Sequence, residues 1–169
     1  MRVDRAFGFI DLCGFTRFTD AQGDEQAVDV LTRFRAAVRE TASDHAVRVD
    51  KWLGDGVMLV STDDDRLVQA AITLSSCAES NEVPLPLRMG LAAGPVILLE
   101  GDDYVGSAVN LAARLCSKAA PNEILATLRL AAAVPPGAGA IPVGALEVAG
   151  FVQPVEVARI EPEPLATAL

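Results

Sequence analysis

A chain of 169 residues, half of them apolar, is one domain able to bury about 70% of its unfolded surface in a single core. Lys plus Arg of 14 against Asp plus Glu of 23 gives a net charge of −9, which excludes a nucleic-acid backbone as partner and makes an anionic substrate dependent on metal ions for neutralisation. The longest uncharged run, 130–146, is broken by Pro135, Pro136 and Pro142 and is no membrane span, and no apolar signal core follows Met1 to Arg5.

The apolar excess hints at a buried subunit interface. Cys13, Cys77 and Cys116 share no short spacing and, with His45 the single histidine, argue for a reduced, cytoplasmic chain and against a zinc site.

In chain order, the apolar run 7–12 predicts a buried strand ending near Asp11. Gly14 then opens a helix with Thr16 or Thr19 as cap. Val28, Leu31, Phe34 and Val38 recur at helical spacing over 25–39, opposite Asp29, Arg33 and Arg39. The stretch 49–60 predicts a hairpin: two apolar runs flank Gly54-Asp55-Gly56, and Asp-Gly is a strong turn signal. If the strand that ends at Asp11 lies beside this hairpin, Asp11 and Asp55 meet at one sheet edge. Two carboxylates there suit Mg²⁺ or Mn²⁺, which take oxygen ligands. Asp63, Asp64 and Asp65 read as a helix N-terminus, where the macrodipole favours acids, rather than as a metal cluster.

Strands are expected at 87–94 and 96–99, a loop at 100–106, a helix at 107–118, a strand at 124–127 and a short helix at 128–133. An antiparallel pair at 143–148 and 152–160, turned at Gly150, closes the domain (1–160), and 161–169 is a Pro-rich tail. The order is that of an α+β fold, a ferredoxin-like βαββαβ core with an additional C-terminal helix and strands.

Four features can carry chemistry, and each has a bland reading beside the functional one. Asp11 ends a strand, and the amides of Cys13, Gly14, Phe15 and Thr16 open a helix where phosphate oxygens can sit; a strand end with an Asx turn is the alternative. Lys51 reads equally as a solvated charge, and Asp103 as a solvated turn acid. Asn110 and Arg114, four apart, share one helix face, which is also what a polar outer face requires.

Together these segments resemble the class III nucleotidyl cyclases, the adenylyl and guanylyl cyclase catalytic domains, over about residues 6–160. The family's Phe-x-Asp-x-x-Gly-Phe-Thr stands at 9–16, its Lys-x-x-Gly-Asp at 51–55, and its Asp-x-x-Gly-x-x-Val-Asn-x-Ala-x-Arg at 103–114. The resemblance implies that Asp11, Asp55 and the Leu12 carbonyl hold two divalent cations, Mg²⁺ or Mn²⁺. It implies that Lys51 and Asp103 read adenine, that Asn110 orients the ribose and that Arg114 meets charge on the α-phosphate. The expected activity is conversion of ATP to 3′,5′-cyclic AMP and pyrophosphate; the Lys/Asp pair argues against GTP. In such cyclases the aspartates and the purine readers of one site come from different protomers, so a head-to-tail homodimer is implied, with no nucleic acid and no membrane span in this chain. The rival readings are a guanylyl or mixed-specificity cyclase, a non-catalytic nucleotide-binding regulator, and a palm-type polymerase or dinucleotide cyclase, in which the Asn110/Arg114 helix has no role. Two departures from the family pattern stand out: Ala149 and Pro95 replace basic residues common there, which implies weaker ATP binding.

Overall fold

The computed structural model describes residues 1–162. Strand β1 (Arg2–Leu12) is its central element, with β3 (Gly56–Ser61) antiparallel on one side and β4 (Leu87–Leu98) antiparallel on the other. Strand β2 (Arg48–Leu53) pairs with β3 as the expected hairpin, giving the order β2-β3-β1-β4. That order is the ferredoxin-like core anticipated from sequence. Beyond β4 the sheet continues through β6 (Ile124–Thr127), parallel to β4, then β8 (Val155–Glu161) and β7 (Gly139–Leu146), while the short β5 (Tyr104–Val105) pairs with β4.

Side chains alternate along β1, so Ala6, Ile10 and Leu12 enter one core and Phe7 enters another on the opposite face. Helices α2 (Asp24–Asp44) and α3 (Asp64–Glu79) cover the first face, with Phe34, Val38, Leu67 and Leu74 in one cluster with Ile10, Leu59 and Leu91. Helix α4 (Ser107–Lys118) covers the second face over β4. It lies so close to Gly90 that a Cβ there would come within 2.2 Å of the Cys116 amide nitrogen. Asp63 caps α3 as its acids suggest, its Oδ1 accepting from the Asp65 and Arg66 amides at 2.9 and 3.3 Å. The short α5 (Leu128–Ala131) is tied down by Arg129, which donates to both Asp4 and Asp64.

Four expectations need correcting. The segments 87–94 and 96–99 are one strand, β4, running through Pro95. Strand β6 pairs with it only through Leu91, so Pro95 sits where one side of the strand is free and a missing N–H is tolerated. The extension of β4 in turn lengthens β1, since Arg2 pairs with Ile97. Thr16 and Thr19 do not cap: both lie inside α1 (Phe15–Gln22), and the Thr19 hydroxyl donates to the Phe15 carbonyl at 2.8 Å. Helix α2 runs past both ends of 25–39 and buries Ala27 and Val30, leaving Val28 exposed. The terminal pair lies at Gly139–Leu146 and Val155–Glu161, with a bulge after Pro142, so Glu161 belongs to the sheet and residues 163–169 of the expected tail lie outside the described residues.

Candidate active site

The β1–β3 register sets Asp11 opposite Gly56, directly after Asp55, and the Leu12 amide donates to the Asp55 carbonyl at 3.0 Å. Two acids distant in sequence thus share one end of the sheet. Gly56 makes room for them: a Cβ there would fall 2.1 Å from Asp11 Oδ1. On the other side the register sets Asp11 opposite Arg88 of β4, whose Nη2 donates to Asp11 Oδ2 at 3.2 Å. Burial pushes the Asp11 carboxyl above the usual carboxylate range, Arg88 opposes that push, and the nearby Asp55 adds to it. Arg88 and Asp55 line a hollow of about 330 Å³ together with Leu12, Gly14, Phe15 and Thr16. The first-turn amides of α1, including those of Phe15 and Thr16, have no carbonyl within the helix to bond. The Cys13 amide is already engaged, donating to the Pro86 carbonyl at 2.7 Å.

The donor set suits a hard divalent cation. Asp11 and Asp55 repel one another and have Arg88 as their near cation, while the space beside Asp11 exists through the missing side chain of Gly56. Among the described residues no three His, Cys, Asp or Glu side chains converge as a closed cage. A cation held here would therefore keep positions open for oxygens of a ligand.

The other residues singled out from sequence do not line that hollow. Lys51 on β2 and Asp103, just before β5, form a direct ion pair, both about half exposed. The hydrogen bond to Asp103 raises the Lys51 ammonium above its ordinary pKa, so it stays charged. Asn110 and Arg114 stand one turn apart on the exposed side of α4. They line a second hollow, of about 570 Å³, whose opposite wall is Ala149, Gly150, Phe151 and Val152. The structure thus joins Asp11 to Asp55, Lys51 to Asp103 and Asn110 to Arg114. The hollow lined by Asp55 and Arg88 and the hollow of Asn110 and Arg114 share no lining residue among those described.

Sequence reasoning missed Arg88 and Gly56. Their signal lies in strand pairing, which no local pattern reports: Arg88 reads as a strand charge and Gly56 as part of a turn.

The model of the "Adenylate and Guanylate cyclase catalytic domain" family matches residues 5–150. The chain belongs to that family. This cyclase domain is 42% identical over 164 residues to an uncharacterized protein of Mycobacterium tuberculosis (strain H37Rv), a match covering 97% of the domain and 43% of the relative. It is 34% identical over 125 residues to an adenylate cyclase of Streptomyces coelicolor, covering 73% of the domain and 32% of that protein. The domain therefore spans less than half the length of the curated relatives it matches. The crystal structure of the adenylyl cyclase CyaB from P. aeruginosa has the same fold, with a TM-score of 0.81, 24% identity and coverage of 95% of this chain and 94% of that one. Among the described residues no helix is long and apolar enough to cross a membrane.

Proposed function

We propose that residues 1–160 form an adenylyl cyclase catalytic domain that converts ATP to 3′,5′-cyclic AMP and pyrophosphate at sites shared by two copies of the chain. The observation that carries the choice of ATP is the Lys51–Asp103 pair, a donor beside an acceptor on one open edge. Adenine offers a ring nitrogen that accepts and an exocyclic amine that donates, which matches both. Guanine presents an N–H toward Lys51 and a carbonyl toward Asp103. Both contacts would then be left unpaired, at about 1–3 kcal/mol each. The adenylate cyclase of Streptomyces coelicolor among the relatives supports the same choice.

In the reaction the ribose 3′-oxygen attacks the α-phosphorus, and the bond to the bridging oxygen breaks with its electron pair leaving on pyrophosphate. Asp11, Asp55 and the Leu12 carbonyl are the residues that would hold the divalent cations. Such cations, when bound, lower the pKa of the 3′-hydroxyl and neutralise the leaving phosphates. The Gly14, Phe15 and Thr16 amides and the Arg88 guanidinium face the same hollow and would bind the β- and γ-phosphates. Arg88 therefore offsets part of the deficit left by Ala149 and Pro95. Asn110 would orient the ribose, and Arg114 would stabilise charge that grows on the α-phosphate.

The separation of the two hollows supports a composite site. Asp11 and Asp55 of one copy would complete the hollow of Asn110 and Arg114 on the other, in a head-to-tail homodimer with two equivalent sites. The test is to incubate the purified chain with ATP or GTP and Mg²⁺ or Mn²⁺ and to measure cyclic nucleotide. We expect cyclic AMP in preference to cyclic GMP, abolition by EDTA, and specific activity that rises with protein concentration. Absence of any cation-dependent cyclic product at high protein concentration would overturn the proposal.

A further inference from the structure

The hairpin that presents Lys51 contains an irregularity. Arg48 pairs with Val60 and Val49 with Leu59, but Lys51, not Asp50, pairs with Met58, and Trp52 pairs with Val57. Asp50 is thus the extra residue of a β-bulge. Its effect follows from the two-residue period of a strand, because one added residue moves every later side chain to the opposite face. Met58 and Val60 belong to the core under α4, whereas Val57 and Leu59 belong to the core under α2 and α3. Without the bulge Lys51 would share the α2 side with Val49. With it, Lys51 stands on the face of Arg48, where Asp103 meets it, and Trp52 turns inward beneath Arg35 and Arg39.

The Asp50 side chain is 2% exposed, although the residue as a whole is only part-buried. Its Oδ1 accepts from Arg48 Nη2 at 3.0 Å, and the same nitrogen lies 3.4 Å from Asp102 Oδ2, next to Asp103. Its Oδ2 is buried with no donor among the described residues. A buried carboxylate oxygen without a partner costs free energy that an apolar strand residue would avoid, so its retention calls for a reason. Burial pushes the Asp50 carboxyl up, and the cations that oppose the push are Arg48 and then Lys51.

We propose that Asp50 and Arg48 are positioning residues for base recognition: the bulge at Asp50, braced by its ion pair with Arg48, turns Lys51 onto the face where it meets Asp103 and so sets the pair that reads the purine. The proposal rests on the reading of Lys51 and Asp103 as the base readers. It differs from it in assigning purine choice to two further residues, one buried and one on the hairpin's edge.

The test compares Asp50→Asn, Arg48→Gln and Arg48→Lys with the parent chain. The readouts are kcat and KM for ATP and GTP, and calorimetric affinities for 3′-deoxy-ATP and 3′-deoxy-GTP, which lack the attacking oxygen. Asparagine keeps the shape but removes the charge that pairs with Arg48. We expect the preference for the adenine nucleotide to fall about tenfold in Asp50→Asn, carried by KM rather than kcat, with a smaller fall in Arg48→Gln and recovery in Arg48→Lys. A merely structural role would lower the melting temperature and leave the preference intact, and an unchanged ratio in Asp50→Asn overturns the proposal. If Asp50→Asn does not fold, an unchanged ratio in the half-exposed Arg48→Gln does the same. A parent chain that makes no cyclic product and binds both analogues alike refutes the adenylyl cyclase reading instead.

Discussion

The two ends of the candidate site are built differently. Asp11 sits on the central strand β1, paired on both sides, and Asp55 in the turn just before β3; both are part-buried, with Gly56 and Arg88 shaped around Asp11. Lys51, Asp103, Asn110 and Arg114 sit on an edge strand, a loop and the outer side of a helix, and all four are exposed. One end is finished within a single chain. The other has charged side chains spread on an open surface, where solvent screens them and ion pairs are worth little. Such groups become strong electrostatic partners only in a dry site, and in the proposed dimer a second chain laid over them would supply that dryness. On the proposed reading, the residues that would hold cations are brought together within one chain, while substrate chemistry would wait on assembly.

Removing a residue from the open end tests that contrast most severely. Arg114→Ala is expected to cut turnover by about 10²–10³ while the melting temperature stays within about a degree, since the side chain packs in no core. A comparable loss of stability would show that the open end is structural after all. Gly90→Ala probes the opposite case, a position deep under α4 with no catalytic group. Its Cβ would meet backbone at 2.2 Å, so a loss of about 3 kcal/mol in denaturant unfolding is expected, with α4 displaced. Unchanged stability would mean that the helix does not lie where the structure has it.

Gly56→Ala separates the two ends again, because its Cβ would displace the Asp11 carboxylate. Mn²⁺ affinity should fall about tenfold with the hairpin intact, whereas nucleotide binding measured without metal should hold. Arg88→Ala has a sign that can be checked. Asp11 binds a cation only when ionised, so cation binding is lost as pH falls through its raised pKa. Arg88 lowers that pKa; its removal raises it further, and the acid limb of Mn²⁺ binding must move to higher pH. A shift to lower pH would contradict the ion pair. The smallest effect belongs to Arg129→Ala, which breaks exposed pairs to Asp4 and Asp64 and should cost about 1 kcal/mol of stability with activity retained.

Much of this was legible in the sequence where the signal is local. The helix Ser107–Lys118, the strand Ile124–Thr127 and the acid cap of α3 follow from patterns a few residues long. The pairing of Asp11 with Asp55 followed from two apolar runs that both ended on acids. What escaped depends on register. Arg88 gains its meaning from lying opposite Asp11 across β1 and β4, 77 residues away. Nothing in the sequence singles out Asp50, since an inserted bulge residue leaves no mark in composition. Pro95 looked like a break because its tolerance depends on where β6 stops.

The composite site is tested most directly by mixing Asp11→Ala chains with Arg114→Ala chains, each inactive alone, and measuring cyclic AMP. A mixed dimer pairs the intact acids of one copy with the intact Asn110 and Arg114 of the other, so one site in two is whole and activity should return. If the mixture stays as inactive as its parts while the two chains demonstrably associate, the acids and Arg114 do not serve one shared site.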